Sequence, residues 1–171
     1  MSLEGSCLCG GIRYQVDGPL GQVVHCHCSM CRKATGAAFR TRAAVPSASF
    51  HWRAGESLLV RYKSSPGEER TFCRVCGSTL VTLFRDRPEE IGLALGTLDG
   101  DPGVRPWAHV FVASRAPWYE IDDDLPRFST TAPPPLGEAN DAAGDPAGAA
   151  GGVDDHPAEM TTFMRFTVRP R

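Results

Sequence analysis

Seven cysteines in three tight clusters constrain this chain more than any other feature: Cys7 and Cys9, then Cys26, Cys28 and Cys31, then Cys73 and Cys76. Clustered thiols serve either as a disulfide framework or as metal ligands. A framework belongs to secreted chains, normally uses an even number of cysteines, and is most needed where a domain is too small to build a core. Here the count is odd, and 171 residues of which 42% are hydrophobic can supply a real core. The stretch Met1 to Ser6 has neither the basic start nor the apolar run of a signal peptide. No segment approaches the roughly 20 apolar residues needed to cross a bilayer. The expectation is a soluble, cytoplasmic protein with no membrane partner, whose thiols hold metal in a reducing compartment.

Spacing turns that expectation into coordination chemistry. A structural zinc takes four ligands, whereas a catalytic zinc keeps three protein ligands and leaves one position open. Cys73-Arg74-Val75-Cys76-Gly77 reads as a half-site, since two intervening residues let the chain turn around a metal and Gly77 eases that turn. Cys7-Leu8-Cys9-Gly10 is its partner half. Together they predict a structural zinc that ties the start of the domain to a hairpin near residue 75. Cys26, Cys28 and Cys31 remain for a second zinc with a vacancy, giving two zinc ions per chain. From spacing alone two alternatives stay open: a redox-active cysteine pair, or a second site closed by His51 or His109. His25 and His27 are expected to pack beside the ligands. Arg32 and Lys33 are either a solvated face or an offset to thiolate charge that attracts an anionic substrate.

Around the clusters the pattern is strand after strand. Ile12, Tyr14 and Val16 alternate with Arg13, Gln15 and Asp17, and Gly18-Pro19 stops the run. Similar runs are Phe39 to Val45, Phe50 to Arg53, Leu58 to Tyr62, Arg70 to Cys73, Thr79 to Phe84, Ile91 to Leu95 and His109 to Ala113. One short helix is expected at Ser29 to Thr35, with a serine capping its start and Gly36 ending it. The domain is therefore expected to be mainly β.

Charge and composition divide the chain. Residues 1–128 carry 14 acidic and 15 basic residues and no basic run, which argues against nucleic acid as a partner. From Ser129 to Glu159, Pro, Gly and Ala fill 18 of 31 positions without one aromatic residue, so a disordered linker is expected there. Residues 160–171, "MTTFMRFTVRPR", alternate well enough for a terminal strand.

The segments "GSCLCGGIRY", "HCHCSMCRKATGAAF", "FCRVCGS" and "GTLDGDPGVRPWAHVFVASRAPWYEIDDDLPRF" resemble, in order and spacing, the glutathione-dependent formaldehyde-activating family, also called the centromere protein V or Gfa-like family. The similarity runs from about Gly5 to Phe128. It implies a β-rich, Mss4-like zinc fold with a structural zinc at Cys7, Cys9, Cys73 and Cys76 and a catalytic zinc at Cys26, Cys28 and Cys31. The activity it implies is that of a carbon-sulfur lyase, in which formaldehyde joins the thiol of glutathione as S-hydroxymethylglutathione. An open zinc suits this, because it lowers a thiol's pKa or polarises the aldehyde oxygen. Arg40, Arg42, Arg53 and Arg61 are candidates for pairing with glutathione carboxylates. His109 and Asp99 match characteristic family positions with no role assigned. The competing class is a zinc-stabilised binding module whose two metals are both structural.

Overall fold

The computed structural model describes residues 2–132, and in them ten strands form two sheets. β1 (Ser2–Ser6), β2 (Arg13–Asp17) and β5 (Phe50–Ala54) make a small antiparallel sheet in the order β1-β2-β5. The larger sheet contains β3 (Val23–Cys26), β4 (Arg40–Pro46), β6 (Leu59–Ser65), β7 (Glu68–Cys73), β8 (Thr79–Phe84), β9 (Glu90–Ala94) and β10 (Ala108–Val110). Its order is β10-β3-β4-β9-β8-β7-β6, and only β10 and β3 run parallel. The mainly β fold expected from alternation is the one observed.

The core follows from that alternation. Ile12, Tyr14 and Val16 are all buried, while Arg13 and Asp17 are exposed. They pack with Val23, Ala43, Val45, Val81, Ile91 and Leu93 of the large sheet. Burying each aliphatic side chain is worth about 1.5–3 kcal/mol, so this layer is the main adhesive between the sheets.

α1 (Ser29–Thr35) has the expected bounds. Its cap is Cys28 and not a serine: the Cys28 Sγ accepts the Cys31 backbone N–H at 3.3 Å. Gly36, with φ of 66°, closes the helix by donating its N–H to the Arg32 carbonyl, a left-handed conformation that glycine adopts without penalty.

Three strand expectations need correction. β1 and β3 were not anticipated, since "SLEGS" carries no apolar alternation and "VVHC" is too short to show a period. The run expected from His109 to Ala113 stops at Val110, because Phe111 turns into the left-handed region at φ 57° and a 3-10 turn follows at Val112–Ser114. Four residues beyond the expected boundary at Phe128 still belong to the packing: the Phe111 N–H donates to the Thr130 carbonyl, and Ala132 joins the cluster around Trp107 and Phe128. The rest of the expected linker and the expected terminal strand lie outside the described residues.

Candidate metal centre and active site

Two sets of cysteine sulfurs converge, and they are the two that the spacing proposed. Cys7, Cys9, Cys73 and Cys76 bring their Sγ atoms within 4.8 Å of one another, and so do Cys26, Cys28 and Cys31. All seven are free thiols. In the first set the sulfurs of Cys7 and Cys9 are 3.4 Å apart and those of Cys9 and Cys73 3.9 Å. That is far longer than a disulfide and close to the edge, about 3.8 Å, of a tetrahedron with zinc-sulfur bonds of about 2.3 Å. The donor set and its spacing fit zinc.

The turns that present these sulfurs are matched in chemistry. Gly10 donates its N–H to the Cys7 carbonyl at 2.7 Å, and Gly77 to that of Cys73 at 2.8 Å, each glycine at a φ above 70°. The Ile12 N–H points at the Cys7 sulfur at 3.2 Å. Hydrogen bonds from Ser78 hold the Cys76 thiol down at about 5, in reach of the thiolate form a metal requires. One half-site lies between β1 and β2, the other in the β7–β8 hairpin, so the set links the two sheets.

The three-cysteine set sits differently. Cys26 ends β3, Cys28 caps α1 and Cys31 lies on its buried face. Hydrogen bonds from Cys26 and Cys28 draw the Cys31 thiol down to about 2, assisted by the Arg70 and Arg40 guanidiniums. Arg70 directs both terminal nitrogens at that sulfur, 3.8 and 3.9 Å away. Cys26 in turn is pushed upward by Cys28 and Cys31. No fourth sulfur, imidazole or carboxylate joins the set among the described residues.

All three line a cavity of about 190 Å3. Register explains its walls. Cys26 pairs with Arg40, Ala44 with Gly92, Gly92 with Thr82, and Thr82 with Arg70, so these residues and Arg42 share one face of the large sheet. The other face, with Ala43, Val45 and Val81, is core. Arg40 is 3% exposed and donates to the Thr82 hydroxyl and the Gly92 carbonyl. Burial lowers it to about 10, still cationic at neutral pH. Phe84, Arg87 and the strained Phe111 complete the enclosure.

Other expected residues go elsewhere. Arg32 donates to the His27 carbonyl and Lys33 is exposed; neither lines the cavity, whose positive charge comes from Arg40, Arg42, Arg70 and Arg87. Arg53 is taken by Gln15, and Arg61 lies exposed against Glu69. His51 pairs with Asp17 on the small sheet. Asp99 accepts the Ser6 hydroxyl at 2.7 Å. His25 bonds the Thr41 hydroxyl at 2.8 Å.

His109 is not at the thiols. It joins His27 Nε2 through Nδ1 at 2.7 Å, and its Nε2 donates to Asp123 at 3.0 Å. Burial holds the His27 imidazole neutral, down at about 4, and the bond from His109 lowers the Asp123 carboxyl. Arg70, Arg87 and Asp123 were missed by sequence reasoning. Arg70 opens a run that was read as a strand, but only register shows which face it occupies.

Comparisons with known proteins bear on the family of this chain. Residues 2–114 match the family described as glutathione-dependent formaldehyde-activating enzyme. A Halomonas elongata protein provisionally named a glutathione-dependent formaldehyde-activating enzyme is 31% identical over 130 residues, covering 71% of this chain and 82% of its own. A Schizosaccharomyces pombe protein named an uncharacterized lyase is 34% identical over 83 residues, or 47% of this chain and 57% of that one. A crystal structure of a Rhodobacter sphaeroides protein superposes with a TM-score of 0.51 at 26% identity, covering 61% of this chain and 92% of that one. With a match that spans most of the folded residues and both cysteine sets, the chain belongs to the glutathione-dependent formaldehyde-activating enzyme family.

Proposed function

We propose that this protein is a zinc-dependent carbon-sulfur lyase that joins formaldehyde, or a related small aldehyde, to glutathione or another small thiol as an S-hydroxymethyl adduct. One observation carries the reading: three convergent sulfurs with no fourth ligand among the described residues open onto a cavity, while a separate four-sulfur set ties the sheets together. Two zinc ions per chain follow, one with four sulfur ligands and one with three and a position open to substrate. The relatives' names support the same reaction class.

Zinc, when bound, supplies a Lewis acid that lowers a thiol's pKa or polarises an aldehyde oxygen. The chain's own residues do the rest. Cys26, Cys28 and Cys31 hold the metal, and Arg70 and Arg40 offset the thiolate charge. Phe84 and Phe111 add apolar surface to the cavity wall. In the addition the thiol's S–H bond breaks, a sulfur-carbon bond forms, the carbonyl π bond opens and the proton finishes on the new hydroxyl oxygen. Nothing is oxidised or reduced, so no redox cofactor is needed.

The test must exceed the background, because the adduct forms without an enzyme. The parent is expected to accelerate adduct formation from formaldehyde and glutathione over the uncatalysed rate. Cys31→Ser should abolish the acceleration and lower zinc content by about one per chain. A parent that accelerates the reaction with no thiol tried refutes the proposal.

A further inference from the structure

Four guanidiniums, those of Arg40, Arg42, Arg70 and Arg87, line the three-cysteine cavity against one carboxylate, Glu68. Zinc with three thiolates would carry one negative charge, so the filled cavity keeps a cationic excess. The four are not equivalent. Arg70 is engaged by Glu68 at 3.1 Å and Ser64 at 3.2 Å, and it faces Cys31. Arg40 spends its terminal nitrogens on Thr82, Leu80 and Gly92, which leaves its buried Nε–H without an acceptor. Arg87 lies 4.0 Å over the Phe84 ring and reaches Glu90 at 3.5 Å, and its Nε–H is likewise buried and unpaired. Arg42 has no hydrogen-bond or ion-pair partner among the described residues. Of the four, Arg42 is therefore the guanidinium whose fork no protein group engages among the described residues, and it lines the cavity that the three cysteines share.

We infer that Arg42, with Arg87 in the same cavity wall, clamps a carboxylate of the thiol substrate, so that the enzyme selects anionic thiols over neutral ones. This rests on the addition reading of the same site. The planar fork of arginine matches the two oxygens of a carboxylate, and inside a partly enclosed cavity such pairs are strong. The three cysteines share that cavity, so a carboxylate held here puts its own thiol beside them. Arg42 is thus a specificity-determining residue.

The experiment uses S-methylglutathione, a thioether that cannot add to an aldehyde, and its diethyl ester, which keeps the skeleton and loses both carboxylates. Calorimetric titration of the zinc-loaded full chain should show the acid binding at least about tenfold more tightly than the ester, the scale of one charge-assisted pair. Arg42→Met should weaken the acid by about tenfold and leave the ester unchanged. Arg42→Lys should recover part of the loss, and Arg61→Met, outside the cavity, none of these values should move. Equal binding of acid and ester by the parent overturns the clamp without any variant having to fold, as does a parent that binds neither or an Arg42→Met that weakens both alike. Turnover separates the two claims. Carboxylate-dependent binding without acceleration for any thiol leaves the clamp standing and removes the addition reading. Equal acceleration of 2-mercaptoethanol and glutathione, with equal KM, does the reverse.

Discussion

Tyr14 shows how one side chain ties local pattern to measurable behaviour. It is 1% exposed, stacks on Phe50 with ring centres 5.1 Å apart, and donates its hydroxyl to Thr97 Oγ1 at 2.7 Å, since that oxygen's own proton goes to the Ala94 carbonyl. Burial pushes the phenol up to about 12. In the unfolded chain it titrates near 10, so between those values the unfolded state releases a proton that the folded state keeps. The raised value therefore stabilises fully below about pH 10, and the contribution, about 3 kcal/mol, is lost as pH rises toward 12. Denaturant melts of the parent and Tyr14→Phe at pH 7, 9.5 and 11 check this. The variant should begin about 1 kcal/mol less stable through the lost hydrogen bond and then fall less steeply. Parallel declines would show that another group governs the alkaline limb.

At the scale of the element, β1 forms against its own weak propensity because its neighbours hold it on both edges. Gly5 pairs with Tyr14 on one side and bridges Leu98 on the other, while the Asp99 N–H donates to the Glu4 carbonyl. Asp99, whose role was open in the sequence, thus anchors this strand. A Cβ at Gly5 would overlap the Tyr14 phenol and lie 2.6 Å from the Thr97 carbonyl oxygen. Gly5→Ala should cost about 1–3 kcal/mol, and pairing it with Tyr14→Phe should return part of that, because the two changes share one space. Equilibrium unfolding of the two singles and the double gives the coupling; strict additivity would mean that the strand shifts instead. Helix α1 makes a similar economy, since the residue that caps it, Cys28, is also one of the three converging thiols.

For the whole molecule the two cysteine sets have unequal consequences. The four-cysteine set joins the β1–β2 connection of the small sheet to the β7–β8 hairpin of the large one, 64 residues away at the Cys9–Cys73 contact. The three-cysteine set spans only residues 26–31 beside one helix. A structural zinc contributes on the order of 10 kcal/mol to folding in small zinc peptides. Cys73→Ser should accordingly leave the protein insoluble or melting far below the parent. Cys31→Ser should melt close to it and carry about one zinc fewer. Thermal scans with elemental analysis decide this, and equal collapse of both would make the second metal structural and favour the binding-module reading.

Local chemistry was legible in the chain itself. The division of seven cysteines into four and three, the buried Ile12-Tyr14-Val16 stripe and the bounds of α1 depend on spacing and period, which are properties of neighbours in sequence. The makeup of the cavity was not. Arg42, Arg53, Arg61 and Arg70 all lie in strands and look alike in sequence, yet one lines the cavity without a partner among the described residues, one is taken by Gln15, one is on the surface and one faces Cys31. Alternation says which residues of a strand share a face, but strand order and register decide which face meets the core and which meets the thiols. The same holds for His109, whose partners His27 and Asp123 come to it from 82 and 14 residues away. Those choices are long-range, made only when the sheets pair and the core closes between them.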